Sequence, residues 1–391
     1  MSDNKNNSIE NKSKGPQWLR YLKSLASLKL TVICLVVLTV LVIWGTVYQA
    51  EHGLYQAQQK FFHSWLFFIF GFIPFPGTVA VMFVLFVNLV FSLIFRIKLK
   101  LANIGNIVTH LGIIILLVGG FITFYFTQES TLMLKEGEES RWSTSHREWE
   151  IALWQETGAD KDVYAMDTNH LSPGDRLSFD DLGIDLKVVE YYGNCTALSG
   201  GMLPNSTAPS NASGITLLKE KQMFSEMEQN VAGIVFEVTP EGNSQAKAKV
   251  LLYGQEDIPT LVTVDGKNFG FSLRKKRLPL PISVYLQDFK AVMYPNSSIP
   301  KSYESKVVIR EDGAVEREVI ISMNKPLRTR NYTFFQSSYY IEPNGTEYSI
   351  LAVVQNSGRL LPYISSIVIF SGMLIHFLVM LMRRRKKKGE G

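Results

Sequence analysis

The sequence predicts an α-helical membrane bundle of four spans joined to a large extracytoplasmic all-β domain, antiparallel and sandwich-like. Three observations support this fold class. Four apolar runs are long enough to cross a bilayer, which takes roughly 20 predominantly apolar residues. Clusters of lysine and arginine flank these runs, as in membrane proteins. The 391-residue chain also has a long polar segment between the third and fourth runs, with the period-two alternation of β-strands.

The four apolar runs cover about residues 27–49, 77–95, 103–126 and 360–382. Between the first two lies FFHSWLFFIFGFIPFPG, which is equally apolar and is rich in aromatic residues. Pro74 and Pro76 interrupt a helix there, because proline has no amide hydrogen and clashes with the preceding turn. We therefore predict an interfacial segment at about residues 50–76, on the outer face of the membrane.

The basic residues predict the orientation of the spans. They form three clusters, which are the lysines and arginine before residue 30, RIKLK at residues 96–100 and RRRKKK at residues 383–388. Each cluster lies beside an apolar run, where the positive-inside rule places it in the cytoplasm. Four spans then put both termini inside and the segment 127–359 outside. We expect a multi-pass protein of the plasma (inner) membrane, with its large domain on the periplasmic or outer side.

These predictions divide the chain into five parts. They are a cytoplasmic tail (1–26), three spans with the interfacial segment (27–126), the β-rich domain (127–359), a fourth span (360–382) and a basic cytoplasmic tail (383–391). The first twenty residues are polar and lack the apolar region of a signal peptide. The first run is therefore predicted to be an uncleaved anchor.

The outer segment shows repeated hairpin patterns. PISVYLQDF places Ile282, Val284 and Leu286 on one face of a strand. Asx-Gly pairs lie between strand-like runs at residues 265–266, 312–313 and 344–345, and such pairs favour tight hairpin turns. Consecutive hairpins indicate an antiparallel sheet or sandwich. We further expect a loop at residues 193–214 and one short helix at residues 217–229.

Several classes of function are excluded by composition and motif. The net charge of +5 is modest and lies beside apolar runs, so no nucleic-acid partner is expected. Cys34 and Cys195 fall in different kinds of segment, and no CxxC or CxxCH occurs. The chain is thus neither a thiol–disulfide enzyme nor itself a c-type cytochrome. It also lacks the P-loop, GxSxG and HExxH motifs.

Two of the six histidines lie inside predicted spans and form the candidate site. His110 follows the start of the third run by seven residues, and His376 precedes the basic cluster at Arg383 by seven. At ~1.5 Å per residue, each is roughly 10 Å from the cytoplasmic end of its span. Imidazoles at equal depth on antiparallel helices could face each other, as in metal and haem sites of helical bundles. Either could instead form a hydrogen bond with a neighbouring helix.

The neighbours of His110 follow helical periodicity. Asn106 shares the face of His110 one turn earlier and is a candidate partner that fixes the tautomer of the imidazole. Gly105, Gly112 and Gly119 recur every seven residues on roughly the opposite face. This glycine seam is predicted to allow close approach of another helix. His376 would lie over Gly372, which leaves room for a flat ring.

Several stretches resemble the ResB (CcsB) proteins of cytochrome c biogenesis. They are LPLPISVYLQDFKAVMYPNSSIPKSYESKVVI, ISMNKPLRTRNYTFFQSSYY and the run to LLPY before the last span, with SLKLT in the first span and HLGIIILLVGG in the third. The resemblance is strongest over residues 278–363. It covers about half of the chain in specific motifs and all of it in layout.

The resemblance implies a non-catalytic or accessory subunit of a membrane cytochrome c synthase complex (system II). Such a complex moves haem b across the membrane and joins it to the CxxCH thiols of apocytochrome c. The implied partners are a CcsA (ResC) protein with a tryptophan-rich haem motif, apocytochrome c and proteins of a thiol-reducing pathway. In this family a histidine early in a span is linked to haem, and His110 holds that position. The six tryptophans here do not form the tryptophan-rich motif, so the partner is expected to be a separate chain.

Two other classes of function are compatible with the layout. The outer sheet could capture apocytochrome as a scaffold or chaperone, with spans that only anchor it and ligate no haem. A membrane sensor is the other class. It would need a cytoplasmic output module, and the inner-side segments of this sequence are short.

Overall fold

The computed structural model describes residues 22–156, 162–199, 211, 213–240, 247–297, 299–311 and 316–389. The chain forms two compact units. The helical unit comprises Met1–Phe126 and Ser357–Gly391, and the β unit comprises Thr127–Asn356. Three predicted features lie wholly or partly outside the described residues: the basic residues before Leu22, residues 200–210 and 212 of the expected loop, and the turn at residues 312–313.

The helical unit contains four helices long and apolar enough to cross a membrane. They are the first (Leu28–His52), second (Thr78–Phe91), third (Ile104–Phe126) and fourth (Leu361–Gly389) spanning helices. The second is extended by a π-helical turn, Ser92–Arg96. At ~1.5 Å per residue, the 25 residues of the first helix exceed the ~30 Å of a hydrocarbon core. Four spanning helices and a membrane protein were predicted, and the structure confirms both.

The segment after the first helix ends in a small apolar hairpin. Strand β1 (Leu66–Ile69) pairs antiparallel with β2 (Ile73–Pro76). Pro74 and Pro76 lie on this two-stranded ribbon, where an unpaired edge tolerates the missing amide hydrogens. Phe70 at its turn is 85% exposed, which suits an interfacial segment that places rings at the membrane surface.

The β unit consists of antiparallel strands. Its first eight are β3 (Gln128–Lys135), β4 (Glu139–Gln155), β5 (Tyr164–Asp167), β6 (Arg176–Phe179), β7 (Ile184–Tyr192), β8 (Cys195–Ser199), β9 (Ile215–Glu220) and β10 (Gly233–Pro240). The others are β11 (Ala248–Tyr253), β12 (Thr260–Val264), β13 (Lys267–Met293), β14 (Pro300–Arg310), β15 (Arg317–Ser322), β16 (Leu327–Thr329), β17 (Tyr332–Ile341) and β18 (Glu347–Gln355). The large antiparallel β domain predicted from the alternation is thus confirmed.

The strands form one large and two small sheets. The ten-stranded sheet has the order β15-β14-β13-β4-β3-β18-β17-β16, with β12 on β13 and β5 on β4. A four-stranded sheet has the order β11-β10-β7-β6, and β8 pairs with β9. The 27-residue strand β13 serves two cores: Phe269 and Phe271 lie in one, and Ile282 and Val284 lie in the other.

The hairpin predictions hold where the turns are described. Asp265 and Gly266 have φ of 50° and 74°, the left-handed values that a two-residue turn requires, and they join β12 to β13. Gly345 has φ of 88° in the turn between β17 and β18. Ile282, Val284 and Leu286 are all fully buried, as the alternation predicted.

Two secondary-structure predictions were wrong. Residues 217–229 do not form one helix, because β9 covers the first part and only Met227–Gln229 form a 3₁₀ turn. The loop expected at residues 193–214 contains β8, which pairs with β9. Cys195 and Leu218 are buried in a small core between these strands and the four-stranded sheet. That burial, rather than helical propensity, determines the local structure.

Candidate functional site

The glycine seam of the third spanning helix is its contact with the fourth. Gly105, Gly112 and Gly119 are the buried residues of the third helix. A Cβ atom on Gly112 would lie 2.6 Å from Cγ1 of Ile369, and one on Gly105 would overlap the main-chain nitrogen of His376. The two helices therefore approach closely enough for their main chains to touch. The seam predicted from the seven-residue spacing is confirmed.

His110 is held by its own helix. Its Nδ1 lies 2.8 Å from the main-chain oxygen of Asn106, one turn earlier. Because a carbonyl oxygen only accepts, Nδ1 must donate, and the lone pair is then on Nε2. Asn106 thus contacts the imidazole as predicted, but through its carbonyl group and not its carboxamide. A fixed tautomer with a free Nε2 is the form in which histidine binds a metal.

His376 has its main chain in the helix contact and its ring outside it. The main-chain nitrogen and Cα of His376 lie against Gly105, whereas its side chain is exposed. The ring contact of His376 is with Phe377, at 6.1 Å between centroids. The main chain of His376 lies level with Gly105, five residues before His110, so the two histidines are offset by about 7.5 Å along the helix pair. The two histidines are therefore at similar, but not identical, depths.

The imidazole of His110 lies on a different side of the third helix from the glycine seam. Five residues separate His110 from Gly105, which corresponds to about 140° around the helix axis at roughly 100° per residue. Gly105 faces the fourth helix, so His110 points away from it. Among the described residues, no ring contact or hydrogen bond joins His110 to His376. The helix pair thus does not bring the two rings together, and each is a separate candidate ligand.

Two further histidines, His52 and His63, pack against aromatic rings. His52 stacks on Tyr48 with centroids 3.8 Å apart, near the end of the first helix. His63 contacts Phe124 at 4.4 Å between centroids. Phe124 follows His110 by 14 residues, or about 21 Å along the third helix. The abundance of aromatic residues between residues 44 and 75 was the signal for this packing.

No larger ligand set is formed around these histidines. In the described residues, no three histidine, cysteine or acidic side chains converge as a metal site would require. Cys34 and Cys195 are both buried free thiols. A haem iron takes one or two axial nitrogen donors from protein, so a single imidazole with a free Nε2 would suit a haem iron better than a bare metal ion.

In the β unit, a basic stretch of β13 separates the two cores. Arg274 and Lys276 point to one face and bind acids there: Arg274 Nε donates to buried Glu150 at 2.8 Å, and Lys276 Nζ to Asp167 at 2.6 Å. Lys275, on the other face, donates to the main-chain oxygen of His146 at 2.9 Å. The sequence did not predict that Arg274 and Lys276 form ion pairs whereas Lys275 contacts a main-chain oxygen, because these contacts depend on which strands are neighbours.

Lys275 has an unusual environment for an ammonium group. Its Nζ lies 4.0 Å from the centroid of the Trp149 ring, and burial lowers the pKa of Lys275 from 10.5 to about 8. Between these two pH values the folded chain has released a proton that the unfolded chain still holds. The unfolded state binds more protons there, so the stability of the fold rises with pH over this range.

We therefore expect the native chain to become more stable relative to the Lys275→Met variant as the pH rises from 7 to 10. The difference in their free energies of unfolding should increase by about 1–2 kcal/mol over this range, after allowance for solvent screening. The measurement is the unfolding temperature of both purified proteins across this range. Parallel curves for the two proteins would show that Lys275 does not titrate in the folded state as its burial requires.

Comparison with known proteins finds a family match for part of the chain. Residues 245–362 are similar to the ResB-like family. The match runs from just before β11 to the first residues of the fourth spanning helix. It includes nearly all of the stretch at residues 278–363 whose resemblance was noted from the sequence, but neither SLKLT in the first span nor HLGIIILLVGG in the third. The ResB-like region therefore contains strand β13 and much of the second core of the β unit.

A longer relative is also similar to this chain. Protein NrfI of Wolinella succinogenes is 23% identical to it over 272 residues. The alignment covers 69% of this chain and 27% of that protein. The chain thus spans about a quarter of the length of the curated relative that it matches.

Proposed function

We propose that this ResB-like chain is an accessory subunit of a membrane complex that assembles cytochrome c, and that His110 binds haem b on its passage. The observation that carries the proposal is the fixed tautomer of His110. Its Nδ1 is tied to the carbonyl oxygen of Asn106, and Nε2 is left free inside an apolar span. An ionisable side chain within a span is usually functional, because the bilayer disfavours it.

Haem is the cargo in this proposal, and the chain supplies a nitrogen donor for its iron. The seam of glycines keeps the third helix fixed against the fourth and leaves the His110 face uncovered by that helix. A flat porphyrin could approach this face from a neighbouring subunit. His376 lies on a different side of the helix pair, so we propose His110 alone as the ligand within one chain and treat His376 as a separate candidate.

The orientation and partners of the chain belong to the same proposal. The positive-inside rule places the ends with RIKLK and Arg383–Arg385 in the cytoplasm and the β unit on the outer side of the plasma membrane. The chain would then work with a CcsA (ResC) partner that has the tryptophan-rich motif, with apocytochrome c and with thiol-reducing proteins. The β unit would present the apocytochrome segment for covalent haem attachment.

A scaffold function is the second candidate, and one finding favours it. The family match covers residues 245–362, which lie mainly in the β unit and not in the spans. On this hypothesis the β unit captures apocytochrome and the chain ligates no haem. The test is the absorption spectrum of the chain purified with its partner, native and His110→Ala. The ligand hypothesis expects less haem in the variant, whereas the scaffold hypothesis expects the same haem content in both.

A further inference from the structure

A cavity lies at one end of the first and second spanning helices. It has a volume of about 710 Å³. Three basic side chains line it, namely Lys23, Lys29 and Arg96, together with Ser27, Leu28 and Phe95. Its lining includes neither His110 nor a residue of the glycine seam, and neither the family match nor the proposed haem function gives it a role.

The wall of this cavity is held by buried hydrogen bonds. Asn88 of the second helix is only 2% exposed. Its amide donates to the main-chain oxygens of Leu25 and Ser27, and its oxygen accepts from Thr31 Oγ1 at 2.7 Å. Ser92 donates to the main-chain oxygen of Ala26 at 3.3 Å. The turn before the first helix is therefore tied to the second helix, and the cavity is a built feature of the fold.

Among the described residues of the helical unit, the positive charge in the cavity has no counterion nearby. In the described residues of the helical unit (22–126 and 357–389), Glu51 is the single acidic residue. It follows Lys29 by 22 residues, or about 33 Å along the first helix. Lys23, Lys29 and Arg96 form no ion pair with any described residue. The positive end of the first helix dipole at Leu28 adds to this charge.

The surface next to the cavity is apolar and open. Leu28 is 60% exposed, Val32 52% and Ile94 63%, on the two helices that form the cavity. Spanning helices present such side chains to the acyl chains of lipids. An anion bound between the three basic groups would therefore have hydrocarbon beside it. A ligand with a phosphate head and two acyl chains matches both surfaces, whereas a free phosphate ion would use only the basic one.

We propose that this cavity binds the phosphate group of an anionic phospholipid, whose acyl chains lie against the adjacent apolar faces of the first and second helices. The phosphate accepts hydrogen bonds from Lys23, Lys29 and Arg96 and supplies a counterion for these three groups. Basic pockets between spanning helices favour anionic headgroups in this way. The proposal does not depend on haem binding.

The test uses the full chain in detergent, titrated with phosphatidylglycerol or with phosphatidylcholine of the same acyl chains. Bound lipid is counted by native mass spectrometry, and the unfolding temperature is followed in parallel. We expect phosphatidylglycerol to bind tighter and to raise the unfolding temperature more. In the triple variant Lys23→Gln, Lys29→Gln, Arg96→Gln, its affinity should fall on the order of a hundredfold, at roughly tenfold or less per charge.

A matched control removes the same charge outside the cavity. The triple variant Lys98→Gln, Lys100→Gln, Arg383→Gln loses three cations beside the spans, none of which lines the cavity. It should keep its affinity for phosphatidylglycerol within about threefold of the native value. Should the first triple variant not fold, Arg96→Gln alone is expected to weaken binding by up to about tenfold.

Three results would overturn the proposal. They are equal affinity for the two lipids, equal loss of affinity in the cavity variant and in the control variant, and stabilisation by inorganic phosphate as large as that by phosphatidylglycerol. The second result would show a general surface charge effect. The third would show an anion site that takes no lipid.

Discussion

On the proposed function, replacing His110 with alanine should remove most of the haem that purifies with this chain and the proposed partner. Loss of an outer partner of a metal ligand already costs roughly 10–100-fold in affinity, and here the donor itself is lost. We therefore expect at least about tenfold less haem, measured as Soret absorbance per complex. The variant should fold, because the hydrogen bond that the structure describes for the His110 ring is to its own helix and the ring lies outside the seam.

Two further measurements separate ligation from indirect effects. Added imidazole should restore part of the absorbance of His110→Ala, because a free imidazole can occupy the space of the missing ring and supply the same nitrogen donor. His376→Ala is the matched control, since its ring is on another side of the helix pair. It should retain its haem. An equal loss in both variants would contradict the packing described above and indicate that both rings hold one haem.

Those parts of the fold that follow from local periodicity were predictable from the sequence. The seven-residue spacing of Gly105, Gly112 and Gly119 identified a helix contact, although not its partner. The turn at Asp265-Gly266 identified a hairpin, because left-handed backbone conformations leave few residue choices. The buried face of Ile282, Val284 and Leu286 followed from alternation alone. In each case the information lies within a few residues of chain.

The remaining features depend on contacts between distant residues. Counting residues placed His110 and His376 at equal depth. Whether their rings face each other depends on how each helix is rotated about its axis, and the contact at Gly105 and Gly372 determines that rotation. Strand β9 was mistaken for a helix because its burial against β8 is a property of the pair. The wall of the basic cavity depends on hydrogen bonds from Asn88 to a turn some 60 residues earlier in the chain. None of these partners can be read from a single stretch of sequence.

The closest approach of the third and fourth helices should make Gly105→Ala strongly destabilising. The new Cβ would overlap the main-chain nitrogen of His376, and a main chain cannot move aside as a flexible side chain can. Forcing the helices apart also loses the contacts at Gly112 and Gly119. Overpacking typically lowers the free energy of unfolding by about 1–3 kcal/mol. Because this contact is with a rigid main chain, we expect a loss of about 3 kcal/mol for Gly105→Ala. The measurement is the midpoint of unfolding in mixed detergent micelles.

Gly120→Ala is the matched control because it makes the same chemical change on the same helix. A Cβ at Gly120 meets no atom within 4 Å, so no helix has to move. Alanine favours helix over glycine by up to about 1 kcal/mol, so this variant should be as stable as the native chain or slightly more so. Equal behaviour of the two variants would mean that the helices do not meet along the glycine seam. A large difference in stability between the two variants would locate the helix contact on the face with Gly105. The His110 ring would then lie on the opposite side of the helix, where the haem proposal requires it to be accessible.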